Sequence, residues 1–138
     1  MVEMGLMFVA KAIIIVTLLS GIASQYSPGV MDSVVRVRQS GKTAMDLPAV
    51  LPAVDGFVAM EDCAMVGEIV FIRPKGESHW DSFLVADCSG HSETSAWMER
   101  NNILVELGYN AAKRYNTVGY GLEIELMLLE KCAYNIPY

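Results

Sequence analysis

Between residues 34 and 128, this chain of 138 residues breaks into short apolar runs, nearly all closed by glycine, proline or a polar cluster. Val34-Val35-Arg36-Val37-Arg38 alternates cleanly and stops at Gln39-Ser40-Gly41-Lys42. Phe57-Val58-Ala59-Met60 follows a loop-like stretch with two prolines, residues 46–56. Gly67-Glu68-Ile69-Val70-Phe71-Ile72-Arg73 is turned back by Pro74-Lys75-Gly76 into a return strand over 81–87. A polar stretch, 89–102, reads as a loop that Trp97-Met98 packs onto the body, and Ile103-Leu104-Val105-Glu106-Leu107 is the next strand. The last run, 122–128, turns Leu122, Ile124 and Leu126 inward and leaves Glu123 and Glu125 as a solvated face. Short, β-branched, alternating runs of this kind are strands. Tyr109-Asn110-Ala111-Ala112-Lys113-Arg114-Tyr115, with its alanines and late basic residues, is a short helix. Six strands with one short helix before the last make an all-β domain. Such domains close into a sandwich or a barrel to remove their edges.

This length holds one domain, and the first 24 residues read as something else. Lys11 precedes the apolar run Ala12-Ile13-Ile14-Ile15-Val16-Thr17-Leu18-Leu19, and the small residues Ser20, Gly21, Ala23 and Ser24 follow. These are the parts of a secretory signal, with Gly21-Ile22-Ala23 as the cleavage point. The run is shorter than the about 20 residues of a membrane span. Residues 4–10 and a snorkelling Lys11 would extend it into an anchor. The expectation is a signal peptide or N-terminal anchor over 1–24, a domain over 25–138, and a secreted or cell-envelope location.

The formal charge of −6 stays the same when residues 1–23 are removed, because they hold one Glu and one Lys. An acidic body argues against a nucleic-acid partner, which needs a basic face. Arg36, Arg38, Lys113 and Arg114 read as solvated surface. Of three cysteines, Cys63 and Cys88 each follow an aspartate at corresponding ends of neighbouring strands. In an oxidising compartment they are expected to form a disulfide. Cys132 is then left over, free or paired between chains; the alternative is three reduced, buried thiols. No C-x-x-C is present and His79 and His91 lack ligand spacing, so neither metal nor cofactor is expected.

Two strands deliver a carboxylate at or near their ends: Asp87 after Leu84-Val85-Ala86, and Glu106 within Ile103-Leu104-Val105. Paired carboxylates are the minimum for acid–base chemistry on a sugar or ester bond, and they also suit a site that only binds.

These residues resemble the rare lipoprotein A-like domains, whose six-stranded double-psi β-barrel is shared with expansins, barwin and the three-aspartate "3D" domains. Gln25-Tyr26-Ser27-Pro28-Gly29 is similar to the S-x-Y-x-x-G opening of that family. Phe57-Val58-Ala59-Met60 and Val66-Gly67 resemble its next strands, and Val85-Ala86-Asp87 the strand carrying its essential aspartate. Ile103-Leu104-Val105-Glu106 and Tyr109-Asn110-Ala111-Ala112 resemble the later Ile-Asp strand and the Ala-Ala helix. The likeness spans roughly residues 25–128. It departs at the Asp-Arg-Gly-Pro turn, here Asp87-Cys88-Ser89-Gly90, and at the second aspartate, here Glu106. Glu61 and Asp62 occupy the region where transglycosylase members place a histidine, as in the 3D-type members.

The resemblance implies lytic cleavage of peptidoglycan strands. Asp87 would protonate the glycosidic oxygen and then draw the 6-hydroxyl proton, while Glu106 stabilises the oxocarbenium-like state. Tyr26 and Trp97 are candidates to stack on sugars, and Asp62, Ser89 and His91 to line the site. Each has a structural alternative: Asp87 in its own turn, Glu106 as partner of Arg36 or Arg38, the aromatics as packing. Expansin-like and barwin-like barrels bind polysaccharide without cutting it, so a non-catalytic module is the competing expectation.

Overall fold

In the computed structural model, which describes residues 11–43, 45–90 and 92–134, six strands close a barrel in the order β1-β5-β2-β4-β3-β6. The strands are β1 (Lys11–Gln25), β2 (Gly56–Met60), β3 (Ile69–Pro74), β4 (Asp81–Cys88), β5 (Ile103–Leu107) and β6 (Leu122–Tyr134). Helices α1 (Val30–Gln39), α2 (Glu93–Arg100) and α3 (Tyr109–Arg114) lie between them, and a 3-10 turn spans Cys63–Met65. The all-β barrel with a short helix before its last strand is the expected architecture. Among the described residues, no helix is long and apolar enough to cross a membrane.

Alternation along the strands fills the barrel. Val58, Val70, Ile72, Phe83, Val85, Val105, Leu107, Ile124 and Leu126 are fully buried in one cluster. The residues between them face outward, and part of that outer wall is covered too. Met31 and Val35 of α1 pack with Leu47 over Ala59, Leu84 and Ala86 as a second apolar layer.

Three elements differ from the sequence reading. Residues 34–38 are not the first strand but the body of α1. Three valines alternating with arginines mimic a strand, yet Met31 and Val35 stand one helical turn apart on the face that meets the barrel. Asp32 in the first turn and Arg36 and Arg38 in the last suit the helix dipole. Gly41, at φ 73°, then lets the chain turn away. Residues 93–100 form a helix within the expected loop, capped by Ser92, whose side chain accepts from Ser95 N–H. That helix buries Met98 and leaves Trp97 exposed.

The first barrel strand is instead β1, drawn from the segment read as an export signal. Its last residues, Ile22 to Gln25, run parallel to β5, and Ala23 is wholly buried in the core. Upstream, β1 pairs with β6 from Lys11↔Tyr134 onward as a two-stranded ribbon projecting past the other strands. Ribbon meets barrel at Gly21, where a Cβ would sit 2.8 Å from the Asn102 carbonyl and 2.6 Å from Leu104. Gly21→Val is therefore expected to destabilise the fold by about 1–3 kcal/mol, the usual cost of overpacking, read as a lower denaturant midpoint at unchanged m-value.

Candidate functional site

The expected pair of carboxylates meets on the outer wall of the barrel, through a register shift. Ala59 at the centre of β2 lies opposite Glu106 of β5 on one side and Asp87 of β4 on the other. Strict alternation after the inward-facing Phe83 and Val85 would send Asp87 into the core. The shift between Val58↔Val85 and Ala59↔Asp87 leaves Ala86 as an extra residue and turns Asp87 to the outer face. Ser24 of β1 lies opposite Glu106, so the row reads Ser24, Glu106, Ala59, Asp87 across four strands.

The chain leaving β1 and α1 closes over this row. Tyr26 N–H donates to the Leu107 carbonyl at 2.8 Å, which prolongs the β1–β5 pairing and seats the side chain beside Asp87. Its hydroxyl donates to Asp87 Oδ2 at 2.7 Å. Arg38, at the end of α1, donates from Nη2 to Asp87 Oδ1 at 2.6 Å and from Nη1 to the Met45 carbonyl at 3.0 Å. Both members of this ion pair are largely buried, 13% and 19% exposed. Arg38 Nε is buried there without a hydrogen bond.

Glu106 is half-buried in this row. Burial pushes its pKa up, and the negative charge of Asp87 pushes the same way. Ser24 opposes the shift, although its buried hydroxyl forms no hydrogen bond of normal geometry. Tyr26 is pushed far above the ordinary phenol value, first by burial and then by its bond to Asp87, so it remains a donor. Beside Asp87, a cleft of about 720 Å³ runs along α1 between Val30, Val34, Val37 and Met45, with Arg38 and Asp87 at its polar end.

Of the residues singled out in the sequence, Asp87, Glu106 and Tyr26 come together. Asp62 accepts from Ala64 N–H at 2.9 Å as the cap of the 3-10 turn, and it lines a separate cleft with Glu61, Cys63 and Gly90. Ser89 reaches Met98 Sδ at 3.7 Å, and Trp97 stands on the exposed face of α2. His91 lies outside the described residues. At the far end of β4, Asp81 accepts from Tyr115 and faces His79 at 3.2 Å. Among the described residues no group of His, Cys, Asp and Glu is placed to hold a metal ion.

Cys63 and Cys88 form the expected disulfide, their Cα atoms 5.0 Å apart. The bridge anchors the residue that follows Asp87, while Ser89 N–H and Gly90 N–H bond the Met60 and Glu61 carbonyls at 3.0 Å each. With the cysteines separated by 25 positions in sequence, a Cys63→Ser/Cys88→Ser double variant should lose about 3 kcal/mol on the chain-entropy model, measured by urea unfolding.

Arg38 is the residue that sequence reasoning misplaced. Read on a strand it is solvated surface or a partner for Glu106; on a helix it follows Met31 and Val35 onto the inner face and pairs with Asp87. Arg36 points away and bonds the exposed Ser33 at 3.2 Å. Helical spacing over 31, 35 and 38 was the signal that would have found it.

Fold and site together define a closed six-stranded β-barrel with a paired-carboxylate site on its outer wall. No family model, curated protein or solved structure matches the chain.

Proposed function

We propose that the protein cleaves glycosidic bonds in cell-wall polysaccharide, with peptidoglycan as substrate, in the manner of a lytic transglycosylase. The observation that carries this reading is Glu106, desolvated and raised in pKa, in one row with Asp87. A raised carboxyl beside a second, differently held carboxyl is the usual arrangement for acid–base work on a sugar. The geometry favours Glu106, rather than Asp87, as the proton carrier. It would give its proton to the glycosidic oxygen as the C1–O bond breaks. As carboxylate it would then take the proton of the 6-hydroxyl, whose oxygen closes on C1 to form the anhydro ring. Asp87, held by Arg38 and Tyr26, would supply negative charge beside the cationic centre.

We place this activity in the cell envelope, outside the reducing cytoplasm, where the disulfide is favoured and the glycan lies. Any export function of residues 1–24 would then be carried by a segment that also supplies most of β1 (Lys11–Gln25).

The test is incubation of the full chain with purified peptidoglycan and mass spectrometry of the products. Anhydro-muropeptides are expected, falling about 10²–10⁴-fold in Glu106→Gln, the range for loss of a general acid–base group. Activity should decline as pH rises through the raised Glu106 pKa. Asp87→Asn should move that limb to lower pH, since removing a like charge favours the ionised Glu106. The same shift makes stability fall with rising pH between the ordinary and raised glutamate values, a slope that Glu106→Gln should abolish.

A second reading, a polysaccharide-binding module, is favoured by one observation: both Asp87 oxygens are already engaged, by Arg38 and Tyr26. Sedimentation with the wall, without products at any pH, would establish it in place of the enzyme.

A further inference from the structure

Beyond the carboxylate site and independent of it, we propose that two copies of this chain join through the free edge of β1. Among the described residues, β1 from Lys11 to Leu19 has a strand partner on one side only, β6, and β5 joins it at Ile22. Ile14, Val16 and Leu18 lie on one face of this ribbon, 60%, 53% and 59% exposed. Ile15 and Leu19 lie on the other, 46% and 37% exposed. No charge, proline or glycine interrupts the run from Ala12 to Leu19. It therefore lacks the devices that keep edge strands from pairing.

The unmet N–H and C=O groups of such an edge call for another strand. A lipid bilayer does not supply those partners, and an open-edged ribbon does not enter hydrocarbon. A second β1 supplies an identical edge, and two-fold antiparallel pairing closes the assembly at two copies. Charge selects that direction. Each copy carries −6, and antiparallel pairing sends the two barrels to opposite ends of a four-stranded sheet. Nine residues of strand are about 31 Å long, several times the screening length of about 8 Å in physiological salt. Across the seam the apolar side chains become cross-strand neighbours and shield one another.

The test is light scattering and sedimentation of the full chain across the micromolar range, with amide hydrogen exchange over residues 12–19. A particle of twice the monomer mass and protected amides are expected. Val16→Lys/Leu18→Lys, whose side chains are exposed and outside the barrel, should be monomeric with an unchanged barrel melt. A monomeric wild type overturns the proposal, as does a dimer that survives the lysines or leaves these amides unprotected. Capture of a monomer on phosphatidylglycerol vesicles would also overturn it, in favour of a membrane surface.

Discussion

Deletion of residues 1–23 is expected to abolish the cooperative fold, leaving a chain without a two-state melt. Ala23 is wholly buried among the core side chains, and Ile22 to Gln25 are the only described residues that join β6 to β5. The deletion removes Ile22 and Ala23, the residues that pair with β5 and β6 at once, so the barrel opens between those strands and backbone groups that faced β1 lose their partners. The shortened chain would also lose the seat of Tyr26, whose N–H bonds Leu107 as a continuation of β1. A domain of this size has only about 5–15 kcal/mol in hand, and losing one strand of six exceeds that margin. Circular dichroism and urea titration of residues 24–138 beside the full chain check this. A cooperative transition in the shortened chain would show that β1 is dispensable and that cleavage after Ala23 is compatible with the barrel.

The second large effect is expected at Arg38. Arg38→Ala leaves Asp87, only 19% exposed, without its cationic partner, and also removes the bond to the Met45 carbonyl. Breaking a fully buried pair from one side costs about 3–5 kcal/mol, and the residual exposure here lowers the expectation to about 2–3 kcal/mol. Arg38→Lys should recover only part of this, because an ammonium does not reproduce the two separately directed guanidinium bonds. A double-mutant cycle with Asp87→Asn isolates the pair; additive losses would mean that the ion pair contributes nothing to holding α1 over the carboxylates.

Several features could be read before any coordinates. Runs at 57–60, 67–73, 81–87 and 103–107 became β2 to β5 with small changes of boundary, and the run at 122–128 became the start of β6, which continues to Tyr134, since alternation is imposed by a barrel's two faces. The helix at 109–115 ended one residue early, at Arg114. The Cys63–Cys88 bridge followed from the placement of both residues at the ends of neighbouring strands. Asp87 and Glu106 were legible as a pair because each strand carries one carboxylate near its end.

Other features depended on contacts far apart in the chain. Ala12 to Leu19 reads as a signal core because a β-branched apolar run has the same composition whether a translocon or a strand receives it; pairing with β6, more than a hundred residues away, makes it β1. Residues 34–38 alternate like a strand, but burying Met31 and Val35 against Ala59, Leu84 and Ala86 outweighs that weak local preference and makes them a helix. The division of roles within the site was decided in the same way. Composition alone set the number of carboxylates. The shifted register at Ala86 aimed Asp87 outward, α1 brought Arg38 to it, and burial raised the pKa of Glu106.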